Sequence, residues 1–104
     1  MKLLILDLAE ADLVSGWQFY EQQSAGIGSY FIDTLQSDIE SLHLYAGIHR
    51  QVFGFHRLLS RRFPYAVYYT LAAQEVRVWR VLDCRRNPRW IQTQLRQSRR
   101  PPSK

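Results

Sequence analysis

One cysteine, one methionine and two lysines are all that this 104-residue sequence holds of those residue types. With Cys84 alone, no internal disulfide can form and no zinc site of the usual cysteine count can be built, so the chain must fold on its own core and suits a reducing cytoplasm. No apolar run approaches the roughly 18 residues needed to span a bilayer. The opening Met1-Lys2-Leu3-Leu4-Ile5-Leu6 is broken by Asp7 and reads as a strand rather than a signal peptide, so no membrane partner is expected. His43, His49 and His56 fall on different segments without ligand spacing, and neither a metal nor another cofactor is expected. Gly26-Ile27-Gly28 follows no strand and reads as a tight interhelical turn, not a phosphate loop. No serine stands in a nucleophile elbow, which leaves the catalytic residues unassigned.

What the chain does have is enough apolar surface for one core: 46% of its residues are hydrophobic and 22% charged, a balance that supports one folded domain of this length. The net charge of +5 hides an asymmetry. Residues 1–49 carry one base and seven acids, net −6, whereas residues 50–104 carry thirteen bases and two acids, net +11. Twelve of the fourteen bases are arginine, whose planar fork grips carboxylates and phosphates at two points and stacks on flat rings. The basic half therefore reads as the side that meets an anionic partner.

The periodicity gives the architecture. Residues 2–6 form a strand, and Asp7 with Glu10 has capping-box spacing for a helix start. Leu13, Trp17 and Tyr20 continue that helix to about residue 22, and Trp17 is placed in the core. Ser24 is positioned to cap a second helix in which Ile27, Phe31, Leu35, Ile39 and Leu42 recur, with Gly47 as its stop. The period then changes to alternation, predicting strands at 54–60, 63–71 and 75–83 in an antiparallel meander. Tyr65, Val67, Tyr69 and Leu71 should face the helices and Ala66, Tyr68 and Thr70 the other side. A last helix starts at Pro88 and runs through Leu95. The fold class is α+β: a β-α-α-β-β-β(-α) two-layer sandwich, with a helix hairpin packed on a twisted, mostly antiparallel sheet. Residues 1–96 make the domain and 97–104 a basic tail expected to be disordered.

Arginines interleaved with aromatics are the candidate binding surface, since guanidinium groups neutralise phosphate and rings stack on bases. The same mixture also makes protein interfaces. The residues assigned to target or nucleic-acid binding are Arg57, Arg62, Arg80, Arg85, Arg86 and Trp90.

The segments Gly16–Gln23, Gly26–Phe31, His56–Leu59, Phe63–Tyr69 and Val78–Pro88 closely resemble, in order and spacing, the RelE/ParE toxin superfamily. That resemblance covers about residues 3 to 95. It implies the same sandwich, a cytoplasmic toxin, and a cognate antitoxin with an acidic, amphipathic segment. RelE-like members cut mRNA on the ribosome without a metal; ParE-like members inhibit DNA gyrase. Arg57 and Arg85 or Arg86 match basic positions of the superfamily. Ala66 stands where RelE-like enzymes carry a central arginine, and no tyrosine follows Tyr69, Trp90 being nearest to the late catalytic one. Indole cannot serve as a general acid or base, and His56 on a strand reads as structural rather than as a replacement base. The resemblance thus points to a ParE-like, non-enzymatic gyrase inhibitor of the plasmid-stabilisation kind. A RelE-like, ribosome-dependent mRNA endonuclease and an inactive homologue that only binds antitoxin are the alternatives.

Overall fold

Residues 1–99 are described by the structure, a computed structural model. The chain runs β1 (Lys2–Ile5), α1 (Asp7–Gln23), α2 (Ile27–Glu40), α3 (Leu42–Tyr45), β2 (Gln51–Val52), β3 (Phe55–Leu59), β4 (Tyr65–Ala72), β5 (Glu75–Asp83) and α4 (Pro88–Ser98). The five strands lie in the order β1-β5-β4-β3-β2. β1 is parallel to β5 and all other pairs are antiparallel. The α+β sandwich expected from the periodicity is therefore the one observed, with two additions. The stretch after Gly47 supplies the short edge strand β2, and α2 breaks at Ser41 so that one further turn, α3, precedes Gly47. Gly47 itself adopts the left-handed φ of 97°. Residues 100–104 of the expected tail lie outside the described residues; Gln97 and Ser98 are still helical.

Strand alternation divides the core. Val67 and Tyr69, with Tyr65 and Leu71 at the margin, join Phe31, Leu35 and Ile39 of the hairpin. Ala66 and Tyr68 face the other way and pack with Phe55, Leu82, Ile91 and Leu95 under α4. One irregularity redirects β5: Tyr68 opposes Arg80 while Tyr69 opposes Val78, so Trp79 is an extra residue in the ladder. Such a bulge turns two consecutive side chains to one side. Trp79 accordingly joins the cluster beneath α4, and Arg80 reaches Gln94 and Ser98 of that helix.

The hairpin depends on glycines at its contact. A Cβ at Gly16 would lie 2.5 Å from the Phe31 ring, and one at Gly28 would lie 2.7 Å from the Trp17 carbonyl oxygen. Two expected caps do not form. α1 begins after Leu6 with no side-chain cap, so Asp7 and Glu10 make no capping box. α2 begins after Gly26, not Ser24, and the Glu21 carboxylate accepts from the N–H groups of Gly26 and Gly28 at 2.9–3.1 Å. Trp17 is not core; it is 38% exposed. The inward stripe of α1 is Ala9, Leu13, Gly16 and Tyr20, and Trp17 stands about 100° round the helix from Gly16.

Candidate interaction surface

α4 lies across the sheet face that the hairpin leaves uncovered. Asn87 accepts from the Arg89 N–H at 2.8 Å, and Pro88 needs no donor in the first turn, so the helix starts cleanly after β5. Ile91 and Leu95 bury its inner side. The basic residues it brings with it, together with those of β3 and the β5–α4 turn, make the electropositive side of the molecule.

The six residues assigned from sequence do not form one cluster. Arg86 and Trp90 come together, the guanidinium lying 3.8 Å over the indole centroid, an arrangement that orients the cation without neutralising it. Arg85 adjoins them but is gripped by Asp83 through Nε at 3.0 Å and Nη2 at 2.7 Å. The Arg85 hydrogen bond holds the Asp83 carboxyl below the usual carboxylate range despite its partial burial, and Asp83 in turn raises the pKa of Arg85. Arg57 opposes Tyr68 and so points to the α4 side. Burial keeps the Tyr68 hydroxyl above its ordinary pKa, and partial desolvation does the same for the thiol of the exposed Cys84, with the Arg57 charge acting against both. Burial, aided by Asp83, pushes Tyr65 up to about 12.

Arg62 lies elsewhere, on the β3–β4 turn, donating to the Tyr30 hydroxyl at 2.8 Å. Arg80 requires a correction. Its side chain is buried and held by Asp12 of α1 and by Gln94 and Ser98 of α4. The bulge at Trp79 turns it inward, and Asp12 consumes its charge, so Arg80 is a structural tie and not a free docking cation.

Two hollows flank α4. One, of about 410 Å³, opens between α1 and the β5–α4 turn and includes Phe19, Tyr65, Arg86 and Trp90 in its lining. The other, of about 390 Å³, is lined by Phe53, Phe55, Gln92, Arg96 and Arg99. The first was partly legible from Arg86 and Trp90. The second is not legible from sequence, because Phe53 stands just before the first strand that alternation predicts and Arg99 falls in the expected tail.

The histidines form an arrangement that their spacing does not reveal. His56 stacks on Tyr69 with ring centroids 5.0 Å apart, and its Nδ1 donates to the His49 carbonyl at 2.7 Å. The Tyr69 hydroxyl accepts from the Gly47 N–H at 2.9 Å and is bonded to His49 Nδ1 at 2.5 Å. Burial, then the nearby His56, lowers the pKa of His49. This network ties the segment before β2 to the hairpin side of β4, opposite α4. Among the described residues no cluster of three or more His, Cys, Asp or Glu side chains is arranged to hold a metal, and no helix is long and apolar enough to cross a membrane.

No family model matches the sequence, and no curated protein matches it. Among solved structures, the chain superposes on a chain from the chromosomal ParDE TA system from P. aeruginosa with a TM-score of 0.72. The two are 21% identical, and the match covers 78% of this chain and 92% of that one. With the strand order and hairpin described above, that likeness shows that this chain shares the fold of that ParDE-system chain.

Proposed function

We propose that the chain is the toxin of a type II toxin–antitoxin pair, that it acts in the ParE manner by inhibiting DNA gyrase, and that a cognate antitoxin holds it silent. The observation that carries this reading is the separation of charge from acid–base chemistry. Arg57 and Arg86 lie on the α4 side, where Ala66 is fully buried at the position that would carry a central arginine. The hydroxyl and thiol near Arg57 are held above their ordinary pKa values. His49 and His56 are bonded around Tyr69 on the hairpin side, and His43 lies on α3. Such a surface is equipped to bind and is poorly equipped to move protons. The likeness to a ParDE-system chain supports the toxin–antitoxin part of this reading.

The antitoxin is expected to present an acidic, amphipathic segment that complements the basic half of the chain. Purified toxin, freed of antitoxin, is expected to inhibit gyrase supercoiling and to accumulate cleaved DNA. If it does neither, the gyrase reading fails. Codon-positioned cuts in translated mRNA, read by primer extension after induction, would establish the ribosome as the target instead. An absence of growth arrest on expression would mark an inactive homologue.

A further inference from the structure

Phe53 and Gly54 form the two-residue turn between β2 and β3, and both have positive φ, 54° and 83°. Such turns favour Asn-Gly, because a bulky side chain in the left-handed region meets the backbone. The hairpin turn sets this φ, as it does at Ala73 and Gln74 between β4 and β5; what distinguishes Phe53 is that it is 45% exposed, while Phe55 two residues later fills the core. An exposed ring beside a cationic hollow is a face on which a flat ligand can stack.

The groups around that ring indicate which ligand. Phe53 borders the hollow with Gln92, Arg96 and Arg99. The Arg99 guanidinium lies 5.0 Å from the Phe55 centroid and 5.7 Å from that of Trp79. Neither Arg96 nor Arg99 joins an ion pair among the described residues. Arg57 lies two positions beyond Phe55 on the same side of β3, and Arg89 continues the helical stripe of Gln92, Arg96 and Arg99. None of the nine acidic residues of the chain lies on β2, β3, β4 or α4. The stripe from Arg89 to Arg99 is about 15 Å long at the helical rise.

We propose that this groove between α4 and the β2–β3 turn binds single-stranded nucleic acid, with an unpaired base stacked on Phe53 and the flanking phosphates held by Arg96 and Arg99. The lining of the hollow contains rings, an amide and guanidinium groups, a set that can stack on a base and hold the phosphates beside it. A base inside a duplex is already stacked on its neighbours and cannot reach the ring. The site goes beyond the toxin reading: it is separate from the Arg86–Trp90 pair and needs neither gyrase nor ribosome.

The test uses the purified full-length chain with fluorescein-labelled mixed-sequence oligonucleotides, single-stranded DNA and RNA and a duplex of equal length, read by anisotropy over a range of salt. Single strands should bind more tightly than duplex. Phe53→Asn keeps a residue that the turn favours and removes the ring; it should bind about tenfold more weakly without lowering the unfolding midpoint. Arg96→Gln with Arg99→Gln should weaken binding and reduce the logarithmic salt slope by about 1.4, the value for two phosphates on a single strand. Unchanged affinity in Phe53→Asn, or equal binding of duplex, overturns the proposal. Displacement of the oligonucleotide by polyglutamate at equal charge concentration overturns it in favour of an acidic peptide. Because the assay contains neither target, its failure leaves the gyrase experiment to be judged separately.

Discussion

Arg80 on β5 and Asp12 on α1 close on each other through two parallel hydrogen bonds, Nε to Oδ2 at 2.7 Å and Nη2 to Oδ1 at 2.8 Å. The same Oδ2 accepts from the Val81 N–H at 2.9 Å, beyond the point where β1 ceases to pair with β5. Only 10% of the Arg80 side chain and 14% of the Asp12 side chain are exposed. Asp12→Ala would leave a buried cation and a backbone donor unpaired, a loss on the order of 3–5 kcal/mol. Asp12→Asn retains an acceptor for Val81 and should lose less. Urea unfolding measures both; an Asp12→Ala midpoint equal to that of the parent would show that the bridge contributes nothing.

Gly28 sets how closely the two hairpin helices approach. A methyl group there meets the Trp17 carbonyl at 2.7 Å and Glu21 Oε1 at 2.8 Å, and the carbonyl belongs to a helix that cannot give way locally. Gly28→Ala should destabilise the fold by about 1–3 kcal/mol, seen as a lower thermal midpoint. Gly26→Ala meets no neighbouring atom within 4 Å and acts only through its φ of 92°.

His49 gives the fold a pH dependence with a defined sign. Burial lowers its pKa in the folded chain, so the unfolded chain takes up the proton first as pH falls. Stability should be greatest above the ordinary histidine value near 6.5. It should decline as pH falls from there to the lower folded value, and level off below that. His49→Asn should flatten this segment of a stability–pH curve measured by urea unfolding, and an unchanged curve would remove His49 as its source.

Arg85 and Arg86 are adjacent in sequence and differ in role. Arg86→Glu should reduce growth arrest strongly while leaving the folding stability within about 0.5 kcal/mol of the parent, as expected of an exposed site. Arg85→Glu also breaks the grip on Asp83, so it should perturb the β5–α4 turn and lower the midpoint as well. Equal losses of folded protein in the two variants would show that both arginines are structural.

The fold was readable from the sequence wherever periodicity was strong. The bounds of β5 and the start of α4 follow from alternation and from Pro88, and the two faces of β4 divide as alternation requires. Capping was less readable, because Ser24 and Glu21 both offer acceptors near α2 and only the folded turn selects the carboxylate. Trp17 was misplaced because its spacing from Leu13 and Tyr20 fits a helical stripe as well as Gly16 does, and only the approach of Phe31 decides between them. Among the candidate site residues, Arg80 looked like its neighbours because composition counts charges and cannot see partners 68 positions away. A bulge shifts facing by one residue and leaves no clear trace in a β5 segment that alternates on either side of it.

The parallel pairing of β1 with β5 joins residues 2–5 to residues 75–78. During translation the first strand must therefore wait, without its partner, until residues 75–78 have emerged from the ribosome. A product terminated before β5 has no strand on which to seat β1, so the shape that any target or inhibitor would recognise forms only once β5 has been made.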